Sequence, residues 1–296
     1  MARDFNGSTD KAQPSSPPFT AAPFTVSGWF NHGSSQTGTI FSVSDGTTGN
    51  HFFNMRVTAG TPDVLTFNAV EGGQDSLSGS TEVTTGAWHH AAFVARAAND
   101  REIYLDGASE GTSSVSKAPT GIDQGAVGVL LWDAGPVNYF DGLLAEIAIW
   151  NVGLSNGEIA ALSKGFSPLL IRSQSLIFYA PLIGRLSPEP SVVNPNFNLT
   201  LTGTSRADHP RIIYPSRPVY GVPAAVVGGG IDVAAAAGAL GLAGLAPAVA
   251  TGALLAAPPG GLDLAAVAPS IAASQGTQPR PAAGSMLLSV NKLMNR

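Results

Sequence analysis

The clearest pattern of apolar and polar positions lies in residues 139–165. Residues 143–150, LLAEIAIW, alternate with a period of two and are apolar on both faces. This pattern predicts a strand inside a sandwich rather than on its surface. Ser155 and Glu158 then stand three apart before an apolar run, which is the pattern of a helix capping box. Gly165 is expected to end this helix in the left-handed conformation.

The same period of two recurs along the preceding and following residues and predicts further strands. The predicted strands are residues 24–30, 38–44, 52–58, 64–70, 87–96, 102–105, 127–132 and 176–182. Turn signals such as Asp45-Gly46 separate several of them into hairpins. Together with the buried strand at 143–150, they predict an all-β sandwich.

Motifs in these strands resemble those of laminin-G-like, concanavalin A-like jelly rolls. The matching residues of the first stretch are Phe140, Gly142, Glu146, Ile147, Ile149, Trp150, Asn151, Leu154, Ser155, Glu158 and Ile159. The hairpin WHHAAFVA–REIYLDG and the closing strand LIFYAPL are also similar to the family pattern. The resemblance implies an antiparallel jelly-roll sandwich over residues 19–184. The family often carries an acid where Ala145 stands here, so no role of that acid is carried over.

The rest of the chain divides by composition into three further parts. Residues 1–18 are polar and proline-containing, which predicts a flexible or strapped arm. Residues 185–223 show no periodicity and many prolines, which predicts an extended strap. In residues 224–296, rich in Ala, Gly, Leu and Pro, the segment 242–252 recurs at 264–274. Such repetition predicts short units that stack on neighbours, so we expect this region to serve in anchoring or oligomerisation.

A second resemblance concerns the C-terminal third of the chain. The segment HPRIIYPS at 209–216 and the Leu-Ala-Pro repeats are similar to tailed-phage virion proteins that carry laminin-G-like domains. The resemblance implies a virion structural protein, located on the particle, whose jelly roll acts in capsid decoration or as a fibre or adhesion module. Its implied partners are other virion proteins and a host-surface glycan. A carbohydrate-binding, adhesive protein of a bacterial surface is the alternative.

The amino-acid composition limits the kinds of partner and the chemistry expected of the chain. Charged residues are 12% of the chain against the usual ~25%, and a surface with so few charges is typical of burial in an assembly. We expect a homo-oligomer, a trimer in the first instance. A net charge of −5 without a basic run argues against nucleic acid. The absence of cysteine excludes disulfides and thiolate chemistry, and the polar N-terminus does not resemble a secretory signal.

An uncharged stretch at residues 233–257 is long enough for a membrane span to be considered. Ala and Gly dominate it, and these residues contribute little transfer free energy. Pro247 interrupts it, and no basic flank follows. The sequence therefore favours packing within protein over insertion into a membrane.

Hydrolysis of a glycan would need two carboxylates about 5–9 Å apart. Around Glu146 the positions two residues away are Leu144 and Ala148, so the strand carries no carboxylate pair. The adjacent His89 and His90 point to opposite faces of a strand and cannot chelate one ion. The sequence thus predicts a protein that is not an enzyme, and a glycan hydrolase is the less favoured alternative.

Residues in the predicted turns are the candidates for ligand binding. Rim loops of sandwiches can hold calcium through Asp, Asn and carbonyl oxygens. The candidate calcium ligands are Asp45, Asn50, Asp133, Asn138 and Asp141. Each is also explained as a residue that caps its own turn. Trp132 and Tyr139 are the candidates for stacking on sugar rings, unless they plug the edge of the sandwich. The sequence predicts no other cofactor.

Overall fold

Two antiparallel sheets face each other across a shared apolar core in the computed structural model, which describes residues 2–184 and 186–215. The strands in these residues are β1 (Ala2–Asn6), β2 (Lys11–Pro14), β3 (Phe24–His32), β4 (Gly38–Ser44), β5 (His51–Thr58), β6 (Val64–Glu71), β7 (Gly73–Glu82), β8 (Trp88–Ala97), β9 (Asp100–Leu105), β10 (Ala108–Ser113), β11 (Gln124–Val127), β12 (Leu130–Trp132), β13 (Gly135–Val137), β14 (Asp141–Trp150), β15 (Leu176–Ala180), β16 (Leu199–Thr202) and β17 (Ser205–Ala207). The helical elements are α1 (Asn156–Ser163) and three 3-10 turns at Pro168–Leu170, Ser173–Ser175 and Pro195–Phe197.

Strand order shows the jelly-roll architecture. The first sheet has the order β10-β9-β8-β3-β14-β1-β17, and the second has the order β16-β2-β11-β4-β5-β6-β7. β15 joins the first sheet by pairing with the second half of β14, while β1 pairs with the first half of the same edge. β12 and β13 form a separate hairpin. Many neighbours are distant in sequence, as in β3 beside β14, and the pairings are antiparallel. The predicted all-β, antiparallel jelly-roll class is confirmed.

Phenylalanines fill much of the space between the sheets, because strand residues alternate between two faces and the inward set is apolar. Phe24 and Phe53 meet edge to face with ring centroids 5.0 Å apart, and Phe67 stacks on Phe93. Removing each such side chain from water contributes on the order of 1.5–3 kcal/mol. The predicted strands supply most of this core.

The outer face of the first sheet is covered by α1 and by the segment around the 3-10 turn Pro168–Leu170. Trp150 is fully buried there, and its indole N–H donates to the carbonyl of Ile171 at 2.8 Å. The predicted capping box is present, with the Glu158 carboxylate accepting from the Ser155 backbone N–H at 2.8 Å. Gly165 takes a φ of 85°, which confirms the predicted left-handed end. β14 is therefore buried on both faces, as its apolar pattern predicts.

The predicted N-terminal arm is corrected by the structure. β1 pairs with β14 and β17 in the first sheet, and β2 pairs with β11 and β16 in the second. Phe5 and Ala12 are fully buried in the core. Pro14 is tolerated at the end of β2 because β2 pairs with β11 only at Ala12 and Val127. Residues 2–14 are thus part of the sandwich, which the proline-rich composition conceals.

The predicted strap also contributes to the sandwich. β16 and β17 extend the second and first sheets, so the jelly roll reaches beyond the predicted boundary at residue 184. The predicted strand at 127–132 is divided into β11 and β12 at Gly128, whose φ is 83°. The end of the strap, 216–223, and the predicted repeat region, 224–296, lie outside the described residues. None of the helices in the described part of the chain is long and apolar enough to span a membrane.

Candidate functional site

The outer face of the second sheet is lined by polar side chains. Phe53, Met55 and Val57 point into the core, so the alternate residues of β5 point outward. The same alternation applies to β6, to β7 and to β4 beyond its irregularity between Thr39 and Phe41. The outward polar residues of these four strands, called the polar face below, are Thr39, Ser42, Ser44, Asn54, Arg56, Thr58, Thr66, Asn68, Gln74, Ser76 and Ser78.

Strand register arranges the polar face in rows across the sheet. One row contains Ser42, Asn54, Asn68 and Ser76, and the next contains Thr39, Arg56, Thr66 and Ser78. On the β6–β7 half the side chains bond to one another. The Asn68 carbonyl oxygen accepts from Ser76 at 2.8 Å and from Gln74 at 3.0 Å, and Thr66 and Ser78 hydroxyls are 3.0 Å apart.

The β4–β5 half of the polar face differs, because six of its buried polar atoms have no hydrogen-bond partner among the described residues. These atoms are Thr39 Oγ1, Ser44 Oγ, Asn54 Nδ2, Asn54 Oδ1, Arg56 Nε and Thr58 Oγ1. An unsatisfied buried polar group costs about 1–3 kcal/mol, and native proteins normally satisfy such groups with protein, ordered water or ligand. Asn54, with 0% of its surface exposed, carries two of them. The described residues therefore leave the hydrogen-bonding capacity of this half unused, and a ligand or bridging water would have to supply the missing partners.

The β12–β13 hairpin covers part of this half. Leu130 and Val137 pack against Phe52 and Val70 of the second sheet. The hydroxyl of Ser42 donates to the carbonyl of Val129 at 2.9 Å and ties the preceding residues to β4. The hairpin thus forms a wall beside the polar face.

Trp132 lies near the tip of this wall. The residue is 38% exposed, and its ring centroid is 5.7 Å from that of Phe52. Tyr139 is half-buried and packs against a small cluster that includes Val129 and Leu131. Trp132 therefore offers an aromatic surface to solvent beside the polar face, whereas Tyr139 mainly packs the outer side of the sheet. The sugar-stacking role of the two remains a prediction.

The five candidate calcium ligands do not lie together. Asn138 is at the beginning of β4, where its carbonyl accepts from the Thr39 N–H at 2.9 Å. Asp45 follows the end of β4, which at ~3.4 Å per residue is roughly 20 Å away. Asp141, on β14 beside β1, accepts from Ser34. One ion therefore cannot be held by all five.

The remaining candidates, Asn50 and Asp133, lie near the Asp45 end. Both are exposed, and Asp133 abuts Gly49. The oxygens of Asp45 accept from Thr47 and Thr48, and these hydrogen bonds lower the pKa of Asp45 to about 2. In residues 2–184 and 186–215 no three His, Cys, Asp or Glu side chains form a group that could hold a metal ion. Turn capping explains the placement of Asp45, and calcium binding at a smaller subset remains a prediction.

Glu146 occupies a bulge of β14 between β1 and β15, with a φ of 58°. Its side chain is 1% exposed and accepts from the hydroxyls of Tyr179 at 2.7 Å and Tyr214 at 2.8 Å. His209 Nε2 lies 3.2 Å from the same carboxylate. Burial, and then the Glu146 carboxylate, raises the pKa of both tyrosines. Glu146 therefore holds residues 209–214 against the sandwich and is closed off from any substrate.

The two adjacent histidines have separate partners. His89 Nδ1 lies 2.7 Å from the carboxylate of Asp106, which raises the pKa of His89. His90 is buried beside the hydroxyl of Ser27 at 3.2 Å, and burial lowers the pKa of His90 to about 4. The two rings therefore do not converge on one ligand.

Sequence reasoning missed the polar face. Its signal was present in the alternation of polar residues along 54–58 and 66–68 and along the serine-rich stretch 74–80. Alternation shows that one side of a strand faces solvent, but it does not say which strands are neighbours. The rows exist only once the register between β4, β5, β6 and β7 is known.

A family model described as the concanavalin A-like lectin/glucanases superfamily matches residues 6–160, a laminin-G-like match. No curated protein matches the chain by sequence. A putative carbohydrate binding protein from Bacteroides ovatus is 19% identical, with a TM-score of 0.51 over 69% of this chain and 59% of that one.

Two further solved structures are similar over 55% of this chain, each with a TM-score of 0.46. They are a heptameric SAP-like pentraxin from Limulus polyphemus, 18% identical over 81% of its length, and the CBM40 of a Ruminococcus gnavus IT-sialidase, 14% identical over 98% of its length. The sandwich topology and the family match over more than half of the chain agree. This chain therefore belongs to the laminin-G-like family of the concanavalin A-like lectin/glucanase superfamily.

Proposed function

We propose that this protein is a non-catalytic glycan-binding jelly roll whose ligand surface is the polar face together with Trp132. The observation that carries the proposal is the set of unpaired buried polar atoms on the β4–β5 half of the face. Hydroxyl and amide side chains beside an exposed aromatic ring suit a sugar, which presents hydroxyls at its edge and C–H groups on its face. Phe52, which contacts Trp132, is only two residues before Asn54, about 7 Å along the strand.

Family membership supports the same class of ligand. The Bacteroides ovatus protein that shares the fold is described as a putative carbohydrate binding protein. Fold alone does not determine function, so the proposal rests on the polar face rather than on this likeness.

The arrangement of carboxylates supports a non-catalytic role. Glu146 is enclosed by two tyrosines, and Glu102 accepts from Ser109 at 2.6 Å and from Arg96 at 3.1 Å. None of the residues that define the polar face is acidic. Glycoside hydrolysis requires an acid and a base or nucleophile on either side of the scissile bond, and the face supplies neither.

We further propose that the protein is displayed on a phage particle, in capsid decoration or as a fibre or adhesion module, and is anchored through its C-terminal region. The similarity of 209–216 and of the Leu-Ala-Pro repeats to virion proteins supports this role, as does the low content of charged residues. The ligand would then be a glycan of the host surface.

Glycan binding is tested with the full chain on an array of plant, algal and bacterial glycans. Trp132→Ala should weaken binding by about 10-fold, because an aromatic contact contributes ~0.5–1.5 kcal/mol beyond burial. Phe166→Ala is the matched control, because Phe166 is equally exposed at 38% but lies beyond α1. Equal losses in both variants, or no binding to any glycan, would contradict the proposal.

The non-catalytic role is tested by incubating the protein with the same glycans and measuring reducing ends. We expect no release above background, because no acid and base are positioned on the ligand surface. Release that Glu146→Gln abolishes would show that the protein is a hydrolase.

A further inference from the structure

Arg56 is the one cation of the polar face. It lies between Thr39 on β4 and Thr66 on β6, and it is half-buried. The other partly or fully buried arginines have acidic partners within the described residues: Arg3 pairs with Glu189, Arg96 with Glu102 and Arg101 with Asp75. No such ion pair is made by Arg56 in residues 2–184 and 186–215.

None of the described residues compensates the charge of Arg56. Its Nε has no hydrogen-bond partner among the described residues, and the same holds for the hydroxyls of Thr39 and Thr58 beside it. Burial lowers the pKa of Arg56, and no carboxylate of the described residues opposes that effect. A partly buried charge without a partner destabilises a fold, so the described residues give no structural reason for an arginine at this position.

We propose that Arg56 binds an acidic group of the glycan, a carboxylate or a sulfate, and that the ligand of the polar face is therefore an anionic polysaccharide. The inference rests on the glycan-binding function proposed above. A guanidinium can donate two parallel N–H groups to a planar oxyanion, and Arg56 is only half-buried, so part of its side chain remains accessible. Because the chain has a net charge of −5, attraction must come from this local cation rather than from the field of the whole protein.

Two matched pairs of polymers test the ligand class with the full-length protein. Polygalacturonate is compared with its methyl ester, and dextran sulfate is compared with dextran. We expect the charged member of at least one pair to bind better, which also distinguishes carboxylate from sulfate. Arg56→Gln should reduce that binding by about 10-fold or more, since hydrogen bonds to charged groups are the strong ones.

Two further variants separate charge from geometry. Arg56→Lys keeps the charge but loses the two parallel N–H donors of the guanidinium, so it should retain only part of the affinity. Arg211→Gln is the control, because Arg211 is exposed and lies outside the polar face. Equal binding of charged and neutral polymers, or equal loss in Arg211→Gln, would overturn the inference while leaving glycan binding intact. Failure of all four polymers and of the glycan array would overturn both.

The melting temperature distinguishes a ligand-binding arginine from a structural one, because removing a structural arginine would lower it. Arg56→Met should leave the melting temperature unchanged or raise it, because it removes a partly buried charge that has no partner. The same variant should lose binding to the acidic polymer. A clear fall in melting temperature would show that Arg56 has a structural role and would overturn the assignment.

Discussion

At the scale of single residues, the buried histidines make the sandwich sensitive to acid. His90 is enclosed on the outer side of the first sheet, with Ser27 and Trp29 as neighbours. Its Nδ1 has no partner among the described residues. Protonation would therefore place a charge in a buried site where Asp106 offsets it only in part, so burial lowers the pKa of His90 to about 4.

We predict that His90 lowers stability as pH falls from about 6.5 to about 4. Over this range the unfolded histidine binds a proton and the folded one does not, so protonation favours the unfolded state. The expected loss is roughly 3 kcal/mol, from about 1.4 kcal/mol per pKa unit. Urea unfolding at pH 7 and pH 4 measures it.

His90→Gln should flatten the pH dependence over this range, because glutamine does not titrate. His89 acts in the opposite direction, since its raised pKa stabilises the fold below about pH 6.5. The comparison of His90→Gln with the natural protein isolates the contribution of His90. Identical slopes in the two proteins would contradict the prediction.

At the scale of elements, a buried ionic network fastens β1 to the segment that follows β15. Arg3 on β1 forms a buried salt bridge of 2.9 Å with Glu189, and it also donates to the carbonyl of Leu186 at 2.7 Å. The second oxygen of Glu189 accepts from the Ile183 N–H at 3.0 Å. This network joins the first strand to the segment that leads into β16.

Arg3→Ala should destabilise the protein by about 3–5 kcal/mol, because it leaves the Glu189 carboxylate buried without its partner. The double variant Arg3→Met/Glu189→Met should be less destabilised than either single variant, since it removes both charges. Denaturant midpoints give the loss of unfolding free energy for each single variant and for the double variant. Arg172→Ala is the control: its pair with Glu158 is exposed and should contribute less than about 1 kcal/mol. A cost for Arg3→Ala as small as that of the control would contradict the prediction.

Elements also show where sequence patterns stop being informative. β7 reads as a serine- and glycine-rich loop because only Leu77 points to the core, yet the strand pairs with β6 along nearly its full length. β1 and β2 are short and carry charge or proline, and they become strands because β14 and β11 present open edges to them. Backbone hydrogen bonds to a partner strand decide such elements, and that partner is far away in the sequence.

At the scale of the whole molecule, the sandwich needs both ends of the described chain. A fragment of residues 1–215 should fold as a soluble monomer, because it contains every strand of both sheets in the described part. A fragment of residues 19–184 lacks β1, β2, β16 and β17, so it should expose strand edges and fail to fold stably. Circular dichroism and light scattering distinguish the outcomes.

The full chain should be a homo-oligomer or bind the particle through residues after about 215, because its apolar C-terminal sequence would otherwise face water. Light scattering of the full chain, with the 1–215 fragment as its control, measures this. A monomeric full chain that also fails to join particles would contradict the anchoring role.

The jelly-roll family was indicated by the resemblance of several short motifs, whereas local patterns alone were sufficient for the central strand β14 and the capping box before α1. Each of these depends on neighbours within a few residues, where period-two alternation and capping operate. Local patterns could not predict the polar face or the unpaired Arg56. They also could not predict the hydrogen bonds of Tyr179 and Tyr214 to Glu146, or the separation of the five candidate calcium ligands. They depend on which strands are adjacent and in what register, and that choice is made by the packing of two sheets rather than by any one segment.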